Sequence, residues 1–138
     1  MAALGVNWLA VLVAGIAAYA LGMLWYSPLL LGKAWVAAHE YTAEKLAEMQ
    51  KGAGKAYTIT FVCWMLMAAG VGVLLHRLDT PHVMSGLKVA VLAFGGFAVP
   101  VGLSQYAFSG KKLAAWAIDA GYQLASLVLM GVILTKWW

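Results

Sequence analysis

Four long apolar runs, separated by shorter charged stretches, constrain this chain more than any other feature. Residues 4–24, 56–75, 88–106 and 113–135 are apolar around most of a helical circumference. The only charged residues among them are Lys88, at an edge, and Asp119. A bilayer core of about 30 Å takes roughly 20 such residues per helix. In hydrocarbon every backbone N–H and C=O needs a partner within the chain, which leaves helices or closed β-barrels. Barrel strands would need short alternating segments, and none occur. The expected fold is therefore all-α, an integral membrane four-helix bundle forming one transmembrane domain over residues 1–138. Only 10% of the residues are charged, against about 25% in soluble domains. The mean hydropathy of +0.87 agrees.

The charges are placed as topology signals. Loops one and three (residues 32–55 and 107–112) hold Lys33, Lys45, Lys51, Lys55, Lys111 and Lys112, six in all; Arg77, Lys88 and Lys136 make three on the opposite side. The positive-inside rule puts the six in the cytoplasm and both termini outside. The net charge of +4 comes from residues scattered between apolar spans. They suit anionic lipid head groups and form no basic stripe for phosphates, so a nucleic-acid partner is not expected and the lipid bilayer is. The first span has no Lys or Arg before it and outruns a signal-peptide core, so cleavage is not expected. Cys63 stands alone, which excludes an intrachain disulfide and a CxxC pair.

Small residues set the packing. Ala10, Ala14, Ala18 and Gly22 form a small-xxx-small ladder on span one, of the kind that lets helix backbones approach within a bundle or between protomers. Gly15, Gly22 and Tyr26 share the spacing G-x6-G-x3-Y with Gly95, Gly102 and Tyr106. Two duplicated hairpins related by an axis along the membrane normal would explain the match. Gly95, Gly96 and Pro100 predict a bend in span three, because proline removes a backbone hydrogen bond. In the first loop, Thr42 is placed to cap a short amphipathic helix over 42–51.

The stretch LWYSPLLLGKAW (24–35) keeps its apolar character beyond the Trp25-Tyr26 interfacial belt. Pro28 disfavours helical geometry at Ser27, so the helix is expected to bend or break there. Leu29 to Leu31 would then follow the interface, or cover the neighbouring hairpin, until Lys33 reaches water and Trp35 re-anchors the chain.

Asp119 is the carboxylate within a span. It lies six residues into span four, roughly 9 Å along the helix axis. Trp116, Gln123 and Ser126 share its face by spacing, and Tyr122 is adjacent. An ionised Asp at the centre of a lone membrane helix costs about 2.5–3.5 kcal/mol, so this face is expected to turn inward or toward a wet cavity. Tyr26 and Ser27 of span one, Tyr57, Thr58 and Thr60 of span two, and Gln105 and Tyr106 of span three fall on the same side of the membrane. Two readings stand: a hydrogen-bond network that locks the bundle, or a polar vestibule for a small ligand, ion or proton, built on Asp119, Gln123, Ser126, Tyr122, Gln105, Tyr26 and Ser27. His39 beside Glu40, Glu44 and Glu48, and His76 with Asp79 and His82, read as solvated loop groups rather than metal ligands. No catalytic motif or nucleophile–base pair is evident, so neither enzyme, metal nor cofactor is expected.

Asn7-Trp8-Leu9-Ala10, the stretch from Leu24 to Trp35, Thr42-Ala43-Glu44, and Asp119-Ala-Gly-Tyr-Gln-Leu-Ala-Ser126 with Met130-Gly131 resemble a family of small bacterial membrane proteins, a domain of unknown function numbered seventeen sixty-one. The resemblance covers nearly the whole chain. It implies a four-span protein of the bacterial inner membrane, with no catalytic residue to carry over. Members resemble Asn-Ala-Gly-Tyr-His where this chain has Asp119 to Gln123. A neutral Asn there favours hydrogen bonding over an obligatory proton relay. The expected role is a non-enzymatic structural or accessory protein, self-associating through its glycine and alanine faces or packing into a larger membrane complex. The alternative is a small oligomeric transporter or channel. Small four-span multidrug exporters have a similar size but depend on an acidic residue in span one, which this chain lacks.

Overall fold

The computed structural model describes residues 4–138, and among these the chain is helical throughout its regular structure. The elements are α1 (Trp8–Trp25), α2 (Gly32–His39), α3 (Ala43–Lys51), α4 (Ala53–Arg77), α5 (Val83–Ala93), a π-helical turn (Phe94–Ala98), α6 (Val99–Ser109) and α7 (Leu113–Lys136). Four are long and apolar enough to cross a membrane: α1, α4, the continuous stretch Val83–Ser109, and α7. The protein is thus all-α with four membrane-type helices, as the apolar runs require.

Local chemistry explains the boundaries. Asn7 caps α1, its side-chain oxygen accepting from the backbone N–H of Leu9 and Ala10 at 3.1 and 3.2 Å. Thr42 caps α3 by accepting from Lys45 N–H at 3.1 Å, an N-cap bond of the ordinary kind. Where a bend is expected, the third span has a wide turn: Val99 N–H reaches back five residues to the Phe94 carbonyl, just before Pro100. A π turn lets a helix continue past a residue that cannot donate.

Helix α7 is the hub. It packs mainly against α1 and α5, less against α4, α2 and α6, while α4 lies mainly on α1. Small residues make the close contacts possible. Ala10, Ala14 and Ala18 are completely buried inside this one chain, so the ladder on α1 is used within the bundle. A Cβ on Gly22 would fall 2.5 Å from the Tyr122 hydroxyl. The α5–α7 crossing is backbone on backbone: a Cβ on Gly86 would lie 2.5 Å from the Gly131 carbonyl, and one on Gly131 2.7 Å from that of Gly86. Gly102 makes room for Trp116, whereas Gly95 has open space around it.

Gly86→Ala is expected to lower stability by about 1–3 kcal/mol, because a backbone oxygen cannot rotate away. Gly95→Ala should be neutral or stabilising by up to about 1 kcal/mol, since alanine is the better helix former and meets nothing. Denaturant-dependent unfolding in micelles separates the two, and equal losses at both positions would contradict this account of the crossing.

Candidate functional site

The corner after α1 brings two motifs together. Tyr26 closes α1, and the chain turns through Ser27–Leu31, with Leu31 N–H bonded to the Trp25 carbonyl at 3.0 Å and Gly32 N–H to that of Ser27 at 3.0 Å. Gly32 sits so close that a Cβ would lie 2.4 Å from the Tyr26 carbonyl oxygen. From this tight return, α2 runs back beside the start of α7. The break at Ser27-Pro28 falls where proline geometry predicts it. The helix that follows the turn is not among the elements the sequence predicts. It has only eight residues, too few for periodicity to stand out.

Asp119 lies at the meeting point, half-buried. Its Oδ1 accepts from the Tyr26 hydroxyl at 2.5 Å and from the Trp35 indole N–H at 3.2 Å. Charge-assisted bonds of this sort are the stronger class, and both donors come from the corner. Beside them Trp25 donates its indole N–H to the Ile118 carbonyl at 3.1 Å. Its ring lies 3.0 Å from where a Gly121 Cβ would stand. One turn deeper, the Tyr122 hydroxyl donates to the Ala18 carbonyl at 2.6 Å and accepts from the Trp64 indole N–H. That single phenol joins α1, α4 and α7. The rings themselves pack edge to face: Tyr26 on Trp35 with centroids 5.8 Å apart, and Tyr26 on Tyr122 at 5.5 Å.

Outside the span, His39 closes the arrangement. Its ring packs on Trp35, at 4.5 Å, and stacks on Tyr41, at 4.8 Å, and those two rings meet edge to face at 5.3 Å. Next to it Glu40 forms an ion pair with Lys112 at 2.9 Å, joining the end of α2 to the start of α7. Burial lowers the His39 pKa from its ordinary value and nearby Lys111 lowers it further, with Asp119 opposing.

The other predicted residues are dispersed. Ser27 returns its hydroxyl to the Leu24 carbonyl at 2.7 Å. Gln123 is half-buried on α7, and Gln105 is exposed on α6. Ser126 is fully buried, one turn beyond Tyr122 and within reach of its hydroxyl. The polar level across all four spans does not assemble. Tyr57, Thr58 and Thr60 are exposed on α4, and the two threonines bond the carbonyls four residues back, at 2.9 and 2.8 Å. Small hydroxyls in a membrane helix can be satisfied by their own backbone, so sharing a depth gave them no reason to converge. Among the described residues no three His, Cys, Asp or Glu side chains gather as a metal site. A cavity of about 20 Å³ lies at the opposite end, between Asn7, His76 and Trp138. A groove of about 330 Å³ opens between α1 and α4, lined by apolar groups such as Trp8, Phe61 and Leu66. Neither is lined by Asp119.

Removing one donor from a bonded carboxylate costs about 1.5–3 kcal/mol, so Tyr26→Phe should destabilise the protein by that order. Asp119→Leu strands two donors and should cost more. Asp119→Asn keeps an acceptor and should cost least, on the order of 1 kcal/mol. Thermal unfolding in detergent gives the ranking; an Asn variant as unstable as the Leu variant would refute the lock.

No curated protein and no solved structure matches this chain. One family model does, and it spans residues 9–135. The stretches around Trp25-Tyr26 and Gly121-Tyr122 are the two sides of the contact just described. The chain belongs to the family described as a protein of unknown function, DUF1761.

Proposed function

We propose that this is a non-enzymatic structural or accessory protein of the bacterial inner membrane, built to pack against further copies of itself or into a larger membrane complex. The observation that carries the reading is the state of Asp119. Its carboxylate is engaged by Tyr26 and Trp35 of the same chain, as a structural lock would be, where a transport site would hold it ready for a ligand. The surface adds support. The first half of α4 and the whole of α6 bury no residue, and Phe97, Val101 and Phe108 stand outward at 72, 59 and 95% exposure. Such a face can meet lipid or another helix, and packing between helices is what drives association in a bilayer. The six lysines of loops one and three favour a cytoplasmic location for the α2–α3 side, with both termini outside.

Native mass spectrometry from lipid nanodiscs tests this reading. Assemblies larger than one 14.7 kDa chain are expected, and the double substitution Phe97→Ala with Val101→Ala should shift them toward single chains. A wild-type protein that is monomeric in lipid and without a membrane partner would overturn it. Asp119→Asn provides the contrast with transport: reconstituted vesicles should show the same ion and proton leak for both proteins, whereas flux that depends on the carboxylate would establish the transporter instead.

A further inference from the structure

We infer that His39 is a pH-sensitive latch, which when neutral holds α2 against α7 over Asp119 and when protonated releases it. Three observations lead there. The imidazole packs on both Trp35 and Tyr41, at 4.5 and 4.8 Å, nearly parallel to the tyrosine ring, and those two rings touch each other at 5.3 Å, so the three form one cluster. Both ring nitrogens are shielded from solvent and have no hydrogen-bond partner. The clamp also shares a member with the lock beneath it, because Trp35 is one of the two donors to Asp119.

Protonation changes what this site must satisfy. A neutral imidazole carries one donor and one acceptor, and the imidazolium carries two donors. Here neither nitrogen faces an acceptor, so the added N–H and its charge are shut away from water. The charged and titratable neighbours are Glu40 and Tyr41 behind the ring, Lys111 and Lys112 before α7, Asp119 within α7, and Tyr26 at the corner. Glu40 is already paired with Lys112, and Asp119 already accepts from Tyr26 and Trp35. Lys111 is left as the repelling charge. The flanking rings offer a cation some attraction, but they supply no acceptor for an N–H. Undocking does, since it exposes both nitrogens to water.

The sign follows from proton linkage. The docked imidazole binds its proton less readily than a free one, lowered by burial first and Lys111 second. Docking is therefore at full strength above the ordinary histidine pKa of about 6.5 and weakens as pH falls through that value, by at most about tenfold in the open-to-closed ratio per pH unit. Release would uncover the Asp119 carboxylate on the lysine-rich side. This adds a regulated state to the structural lock and does not depend on the protein's assembly.

Hydrogen–deuterium exchange of the full chain in nanodiscs, corrected for intrinsic rates, tests the latch between pH 5 and 8. Peptides covering residues 32–41 should lose protection several-fold below about pH 6.5, while α4 and α7 beyond Tyr122 stay protected. His39→Phe keeps an aromatic ring in the clamp without a titrating group and should hold its protection across the range. Lys111→Gln removes the repulsion and should reduce the change. Equal pH dependence in wild type and His39→Phe would overturn the latch, as would wild-type protection that does not vary with pH.

Discussion

A carboxylate carried on a membrane helix must be answered by the protein itself, and the tertiary structure around Asp119 is organised by that requirement. Both answering donors come from one tight corner, Tyr26 before the turn and Trp35 after it. For both to reach one oxygen, the chain has to reverse within a few residues. Pro28 ends the helical geometry and Gly32 lets the return pass against the Tyr26 carbonyl. With α2 brought back this way, Glu40 reaches Lys112 and His39 is carried into its clamp. Each of these contacts presupposes the reversal.

The second requirement is close approach without a hydrophobic drive, because lipid tails are as apolar as the side chains they would replace. Here the deep contacts rest on missing atoms. Gly22 admits the Tyr122 hydroxyl, Gly121 admits Trp25, and Gly86 and Gly131 admit each other's backbone. Indole and phenol groups then contribute two things at once, ring area for packing and one polar atom for a hydrogen bond. Trp25, Trp35, Trp64 and Tyr122 all behave this way. Helix α7 is the hub because it carries the glycines, the acid and the phenol on adjoining faces.

Much of this was legible in the sequence, and the gaps follow a physical pattern. Span number and approximate limits follow from apolar length alone. The break at Ser27-Pro28, an irregularity before Pro100 and the Thr42 cap follow from rules that act over a few residues. Asp119 stood out because charge in a span is rare. The facing of residues was harder to read. In lipid an outward surface is as apolar as an inward one, so periodicity carries little directional information. Depth alone placed Tyr57, Thr58, Thr60 and Gln105 with Asp119, but rotation about the helix axis puts them outside. From the sequence Trp35 reads as an anchor and His39 as a loop residue. Their contacts depend on α2, whose eight residues give no periodic signal. The ladder on α1 was recognisable as a packing surface, while its use within one chain depended on where α4 and α7 lie.

The chemistry of the lock also bears on what an asparagine would do at position 119. Tyr26 and Trp35 are donors only toward that side chain, and they converge on a single oxygen. Any residue with an acceptor at that place and length meets the geometric need, which makes asparagine a natural equivalent. What the carboxylate adds is charge, and charge is felt beyond the two bonds. It strengthens both donors and attracts a cation on the neighbouring ring, while Lys111 opposes that attraction at His39. An asparagine would leave Lys111 unopposed and would hold the imidazole more firmly neutral. In this chain the acid therefore does not make the lock possible. It sets the balance at which the outer clamp can still exchange a proton.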